Sequence, residues 1–281
     1  MYNARIDIDG GGSVSFGYKS GIIFDISPLS GADVDVNTSQ GFQQIGTTVE
    51  SLGVGGISRT IKGTFINAGL DEAKSMLANL PVFAQGKLWF NDEYYCNIVV
   101  EKTPTIARKG KKTTFTMMVY CNTPFWYDTE RNQYSMGIWQ KRFRFPTAFD
   151  SHIFGERDAS AFVDCVNYGS VRTAPTIIFT AASTVTNFGL INANTLEYIR
   201  INTSIEAGET VTVYRKNSRL YIEKDNGNAV EDIFEYLDEY SDLFWLYPGS
   251  NVLRMTAEQN EAGLQCVVAF ENAYMGVIDV S

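Results

Sequence analysis

Four places in the sequence hold residue types that could do chemistry. The first is His152, with Asp150 and Glu156 nearby. It is the chain's single histidine, so a histidine-based zinc site has no second ring to use and any triad would have to be built on this one residue. Its aromatic, loop-like surroundings read instead as those of a hydrogen-bonded surface or interface histidine. The second is Gly53-Val54-Gly55-Gly56, which looks like part of a phosphate-binding loop. Such a loop needs a helix N-terminus with converging N–H groups. Here no lysine-serine or lysine-threonine pair follows, and the next segment has strand periodicity. The third, Asp7-Ile8-Asp9-Gly10, opens like a calcium loop, but Phe16-Gly17-Tyr18-Lys19 stands where the closing carboxylate belongs. The fourth is the acidic run Asp232, Glu235, Asp238, Glu239 and Asp242. Paired carboxylates hydrolyse glycosides only when held a fixed distance apart in a cleft; a run along one polar face is solvated. No catalytic, cofactor-binding or metal-binding residue is assigned on this basis. No cofactor is expected, and the chain reads as a non-enzyme.

The cysteines and the basic residues point the same way. Cys96, Cys121, Cys165 and Cys266 lie far apart in apolar, strand-like contexts, with no C-x-x-C spacing. Buried free thiols are the default reading; one disulfide is the alternative, disfavoured in a reducing compartment. Trp139, Lys141, Phe143 and Phe145 interleave with Gln140, Arg142 and Arg144. That pattern suits single-stranded nucleic acid, and equally a half-buried edge strand with charged protection. Arg108-Lys109-Gly110-Lys111-Lys112 reads as a solvated hairpin end. The net charge of −9 argues against a nucleic-acid-binding face, though not against a channel through which DNA slides without sticking. The first residues lack a signal-peptide core and no window reaches transmembrane length, so synthesis in the cytoplasm without membrane insertion is expected.

The elements that carry these residues are strands. Among 281 residues, 24 are glycine and 44% are hydrophobic, with Thr, Tyr, Phe, Val and Ile abundant; the balance favours strands and turns and leaves room for two domains. The stretch Tyr120-Cys121-Asn122-Thr123-Pro124-Phe125-Trp126-Tyr127 divides them. The alternating strand from Lys112 to Cys121 must stop at Pro124, which cannot donate to a ladder. The aromatics that follow suggest a packed hinge, with a wide loop inside one large sandwich as the alternative. Before the hinge, strands are predicted over Val14–Tyr18, Ile22–Ile26, Ser58–Ile66, Gly86–Phe90, Glu93–Glu101 and Lys112–Cys121. One helix is predicted, with Leu70, Ala73, Met76, Leu77 and Leu80 at helical spacing and Pro81 after it. The glycine-punctuated segment 31–56 is too long for an ordinary loop and reads as a hairpin arm or interface loop, or as a mobile surface loop. After the hinge, strands are predicted over Ala161–Asn167, Ala174–Ala181, Thr195–Asn202, Thr210–Lys216, Leu220–Lys224, Leu243–Leu246, Asn251–Ala257 and Leu264–Glu271. Asp225-Asn226-Gly227 is a hairpin turn, and one or two helical turns are predicted from Val230 to Leu237. Short strands at this spacing make a two-sheet sandwich.

The order of these features carries a resemblance. Arg59-Thr60-Ile61-Lys62-Gly63-Thr64-Phe65, a helix ending Leu80-Pro81, Gly86-Lys87-Leu88-Trp89-Phe90-Asn91-Asp92-Glu93-Tyr94-Tyr95 and Cys121-Asn122-Thr123-Pro124-Phe125-Trp126 resemble the N-terminal domain of the siphophage distal tail (Dit) proteins. Asn167-Tyr168-Gly169, Ala174-Pro175-Thr176-Ile177, Gly208-Glu209-Thr210-Val211 and Phe244-Trp245-Leu246-Tyr247-Pro248-Gly249-Ser250-Asn251 resemble that family's C-terminal galectin-like sandwich. The resemblance implies a mainly β protein in two domains. Residues 1–130 would be a ring-forming N-terminal β-sandwich with one helix and a hairpin arm, and residues 131–281 a galectin-like sandwich. It implies a structural protein of a phage or prophage virion, made in the bacterial host cytoplasm and placed at the distal end of the tail. There a homohexameric ring would join the tail tube to the tip protein and to the baseplate or receptor-binding proteins, and DNA would pass through its channel. The galectin sugar signature Trp-Gly-x-Glu is absent: Trp89, Trp126, Trp139 and Trp245 are each followed by other residues. A glycan-binding module that contacts the host surface stays as the alternative to protein docking.

Overall fold

The computed structural model describes residues 2–66, 69–137, 139–140, 156–157, 161–216, 219–242 and 244–277. Its contacts divide the chain into two compact units, Met1–Thr129 with Ala273–Ser281, and Glu130–Asn272.

The first unit is built from β1 (Ala4–Ile8), β2 (Ser13–Phe16), β3 (Ile22–Ser27), β4 (Val34–Ser39), β5 (Thr48–Val54), β6 (Ile57–Phe65), α1 (Leu70–Asn79), β7 (Gln85–Phe90), β8 (Tyr94–Lys109), β9 (Lys112–Cys121) and the start of β10 (Trp126–Met136). Seven strands pair antiparallel in the order β2-β1-β7-β8-β9-β6-β3. The end strands of that order meet at a Gly17–Ile22 bridge. Phe16 on β2 consequently stacks on Phe115 of β9, with ring centroids 5.8 Å apart. The sheet therefore rolls until its two halves face each other, and alternation decides which side chains go inside. Ile6, Phe16, Ile61, Leu88, Phe90, Phe115, Met117 and Val119 are core. Two glycines permit this packing. A Cβ on Gly63 would meet the Phe115 ring, and one on Gly86 would meet the carbonyl oxygen of Asp7.

The helix begins after Gly69, which takes a left-handed conformation at φ 46°, and has Asp71 and Glu72 in its first turn, where the helix dipole favours them. Ala73, Met76 and Leu80 are buried in the core. Leu70 and Leu77, expected on the same stripe, are exposed. No described helix is long and apolar enough to cross a membrane.

The second unit is a two-sheet sandwich. After a short pair, β11 (Trp139–Gln140) with β12 (Glu156–Arg157), come β13 (Phe162–Asn167), β14 (Thr176–Ala181), β15 (Val185–Asn192), β16 (Tyr198–Ile205), β17 (Thr210–Lys216), β18 (Arg219–Asp225), β19 (Val230–Asp232), β20 (Gly249–Gln259) and β21 (Leu264–Tyr274). One sheet runs β19-β18-β17-β14-β21, the other β13-β20-β15-β16. Their inner faces share one core, in which Phe179 of β14 meets Phe188 of β15 edge to face at 5.1 Å.

Asparagines tie off the loops of this sandwich. The Asn251 amide donates to the carbonyls of Tyr247 at 2.7 Å, Gly249 at 3.0 Å and Cys165 at 3.3 Å, and its oxygen accepts from the Tyr247 N–H at 2.9 Å. Asn167 donates to Val171 and Leu246 carbonyls and accepts from the Gly169 N–H at 2.8 Å. Both are buried. The Asn167-Tyr168-Gly169 and Tyr247-Pro248-Gly249-Ser250-Asn251 motifs are thus hydrogen-bonding devices for otherwise unpaired backbone.

Candidate functional site

β4 and β5 form a two-stranded ribbon apart from the core: every residue of both strands is exposed. Segment 31–56 is therefore a hairpin arm. Its register makes it amphipathic. Directly paired residues project to the same side, so Val34 with Val54 and Val36 with Leu52 make one apolar face. Asp35 with Gly53 and Asn37 with Ser51 make the other. A one-residue shift after Asn37 then sets Val49 opposite Thr38, which returns Val49 to the apolar side. Side chains hold the ribbon in shape. Asn37 donates to Ser51 at 3.0 Å, the Ser39 hydroxyl to Glu50, and Gln44 to Thr48 at 2.9 Å. At the tip, Phe42 is 96% and Ile45 102% exposed. An isolated ribbon of this size is marginal in water, and exposed apolar surface with an open strand edge marks an interaction site.

The ribbon is rooted in the core by Arg59. This arginine is fully buried, with its guanidinium 4.7 Å from the centre of the Trp126 ring. It donates to the carbonyl of Pro28, just before the arm, and from Nη2 to that of Pro124 at 2.8 Å. The Trp126 indole N–H donates to the Leu29 carbonyl at 2.9 Å. The aromatic run after Pro124 thus fixes the base of the arm.

The residues singled out for chemistry occupy other roles. His152 lies outside the described residues, as does Lys141–Phe145 of the aromatic-basic stretch. Gly53 and Val54 belong to β5, and Gly55-Gly56 leads into β6, so no helix N-terminus follows them. Asp7 accepts from Arg5 at 2.9 Å and from the Ser13 hydroxyl at 2.8 Å, closing the β1–β2 turn. Arg5 also pairs with Asp92 at 3.0 Å, so these two charges on the wall of a cleft of about 360 Å³, lined by Tyr2, Phe16, Tyr18 and Lys19 among others, face each other. In the acidic run, Asp238 accepts from Asn202, Tyr198 and the Tyr240 N–H, each at 3.1 Å. The Asn202 amide and then the Tyr240 N–H hold its carboxyl below the usual range. Asp232 likewise accepts from the Phe234 N–H and Asp242 from the Tyr198 N–H, so these three carboxylates cap backbone. Lys109-Gly110-Lys111-Lys112 turns the β8–β9 hairpin, with Gly110 at φ 63°.

A cluster that the sequence did not reveal lies on the second unit. The guanidiniums of Arg172 and Arg215 stand 4.5 Å and 4.0 Å from the centre of the Trp245 ring. Nearby, Tyr247 donates to Glu197 at 2.8 Å. Burial, then repulsion from Arg172, holds Arg215 below its ordinary value. Two cations on one indole leave that ring committed to protein contacts.

Comparison with known proteins agrees with this architecture. Residues 168–274 match the family model described as siphovirus-type tail component, C-terminal domain. No curated protein matches the chain. Among solved structures, SPP1 Dit (gp 19.1), described as a paradigm of the hub adsorption apparatus in phages infecting Gram-positive bacteria, is similar over 95% of this chain and 98% of its own, with 14% identity and a TM-score of 0.63. At that identity the likeness is one of fold. The phage P2 baseplate in its activated conformation with Ca covers 96% of this chain and 98% of its own at 13% identity, with a TM-score of 0.45. Residues 168–274 are thus similar to the C-terminal domain of the siphovirus-type tail components, and the chain shares the fold of SPP1 Dit over 95% of its length.

Proposed function

We propose that this chain is a structural subunit of a phage or prophage tail tip, in which six copies form a ring through their first units. The observation that carries this reading is the arm: an amphipathic ribbon whose apolar face and tip find no cover within the chain. A neighbouring copy is the occupant that suits it, since closed symmetric rings bury the same arm on the same receiving surface at every interface. In this reading residues 1–130 surround a channel through which DNA passes without specific binding, in keeping with the net charge of −9. The second unit, Glu130–Asn272, points outward and holds the receptor-binding or baseplate proteins. The tail tube and the tip protein would dock on the two faces of the ring, at the distal end of the virion's tail.

The glycan-binding alternative has less support. A sugar stacks on a free aromatic face; the Trp245 ring already carries two guanidiniums, which leaves single exposed rings such as Tyr168 and Tyr240 for that role. The reading is of a protein that holds others.

The test is assembly. The purified chain is expected to run as a hexamer by mass photometry and to show rings by negative stain. Replacing residues 34–54 with a short Gly-Ser turn is expected to give a folded monomer. A full-length chain that stays single at high concentration, or an arm-less variant that still forms hexamers, would sink the proposal.

A further inference from the structure

Cys96, Cys121 and Arg59 come together on one face of three neighbouring strands, β8, β9 and β6. Cys121 pairs with Ile98 on one side and Ile57 on the other, so Cys96 and Arg59 each stand two residues along on the same face. The two sulfurs are 3.5 Å apart and neither cysteine is exposed. Arg59 is equally buried, and its Nε has no hydrogen-bond partner. A desolvated cation calls for a nearby counter-charge. Among the described residues no carboxylate supplies it, and the groups at hand are the two sulfurs. The hydrogen bond from Cys96, and after it the charge of Arg59, bring the Cys121 thiol down to about 7 against the opposing effect of burial. Burial pushes Cys96 the other way.

The other two cysteines provide a comparison inside the same molecule. Cys165 and Cys266 are also fully buried, with no guanidinium acting on them. Burial pushes Cys165 up to about 12 and Cys266 higher. The pairs differ first in the 3.5 Å sulfur contact between Cys96 and Cys121, and after it in Arg59.

We propose that Cys96 and Cys121 are an oxidisable dithiol at the root of the arm, in which Arg59 holds Cys121 as the attacking thiolate and Cys96 resolves it. Hydrogen peroxide is the oxidant. The Cys121 sulfur attacks one peroxide oxygen and the O–O bond breaks. Hydroxide leaves and takes up a proton as water, and a sulfenic acid remains on Cys121. The Cys96 sulfur then displaces that oxygen, forming the S–S bond as the S–O bond breaks. The Cys96 proton departs with the hydroxide as a second water. Two thiols and one peroxide give one disulfide and two waters. A water-sized oxidant reaches the pair through brief local openings. The consequence falls on the arm, because closing the bond removes the counter-charge of the arginine that holds Pro28 and Pro124.

The experiment uses the full chain. It is exposed to hydrogen peroxide, denatured and alkylated, and its cysteines are mapped by mass spectrometry. A single Cys96–Cys121 disulfide is expected, with Cys165 and Cys266 still alkylated and oxidising at least ~10-fold more slowly. The rate should rise with pH through a midpoint of about 7. Cys96→Ser is expected to stop at a sulfenic acid on Cys121, trapped by dimedone. Four thiols left free, or equal oxidation of both pairs, would overturn the proposal. Should the variant fail to fold, the comparison of the two pairs in the natural chain decides alone.

Discussion

Arg59 shows how little of this protein's chemistry is local. The alternation of β6 correctly puts it on a face with Ile61 and Phe65, yet a charged residue in that position gives no hint of what receives it. The receiving carbonyls are 31 and 65 residues away in sequence, a distance that no spacing rule covers. Removing the side chain leaves both carbonyls unpaired and a cavity beside Trp126. Arg59→Ala should therefore lower unfolding stability by about 3–5 kcal/mol, read from urea midpoints. Asn251→Ala, which strips three carbonyls of their donor, should cost about 3 kcal/mol in the same assay. The thiols predict a pH profile. Cys121 has a lowered pKa, so its contribution is full above the unfolded value of about 8.5 and is lost as pH falls through about 7. Cys96, Cys165 and Cys266 are raised, so their contributions hold below about 8.5 and fade as pH climbs past it. Stability should be greatest near about pH 8 and smaller at about pH 6 and about pH 10. A profile flat across that range would contradict the lowering of Cys121 by the Cys96 hydrogen bond and, after it, by Arg59.

At the scale of elements, regular alternation was legible and interrupted alternation was not. β9 and β17 occupy the residues their patterns predict, Lys112–Cys121 and Thr210–Lys216. β15 escapes detection because Asn187, at φ 51°, makes a bulge between Thr186 and Phe188 and shifts the apolar residues out of step. β10 escapes because Asp128-Thr129-Glu130-Arg131-Asn132-Gln133 reads as loop. The opposite error occurs near Leu246. Of the run expected as a strand, Leu243 lies outside the described residues, and Phe244 to Leu246 belong to no strand, with Leu246 meeting Thr173 in an isolated bridge. The predicted helical turns after Val230 become β19 and a short 3-10 turn over Phe234–Tyr236. The arm was legible as an element too long to be a loop, but the place of Val49 on its apolar face depends on the shift after Asn37. Phe42→Ser with Ile45→Ser should change folding stability by less than ~0.5 kcal/mol, because nothing within the chain covers those side chains. The same pair should weaken self-association at least ~10-fold by mass photometry, since each fully buried side chain of this size is worth about 1.5–3 kcal/mol. Gly63→Ala belongs to the other class. Its methyl meets Phe115, so the expected loss is about 2 kcal/mol in urea, with association unchanged once folded.

For the whole molecule, charge sets the terms of assembly. In the proposed ring, six copies at −9 each would carry −54, and that repulsion is long-ranged until salt screens it. Association should strengthen from about 20 mM to about 500 mM salt, as apolar contact survives screening and repulsion does not. Analytical ultracentrifugation at the two concentrations checks the sign; rings that fall apart as salt rises would mean that ion pairs hold them. The ribbon that leaves the core has a last consequence in time. Until something covers it, it offers an extended backbone of the kind proteases cut. A trace of protease should nick free chains between residues 34 and 54 and spare those already in a ring. The arm then keeps a record of which molecules found their neighbours, and how soon.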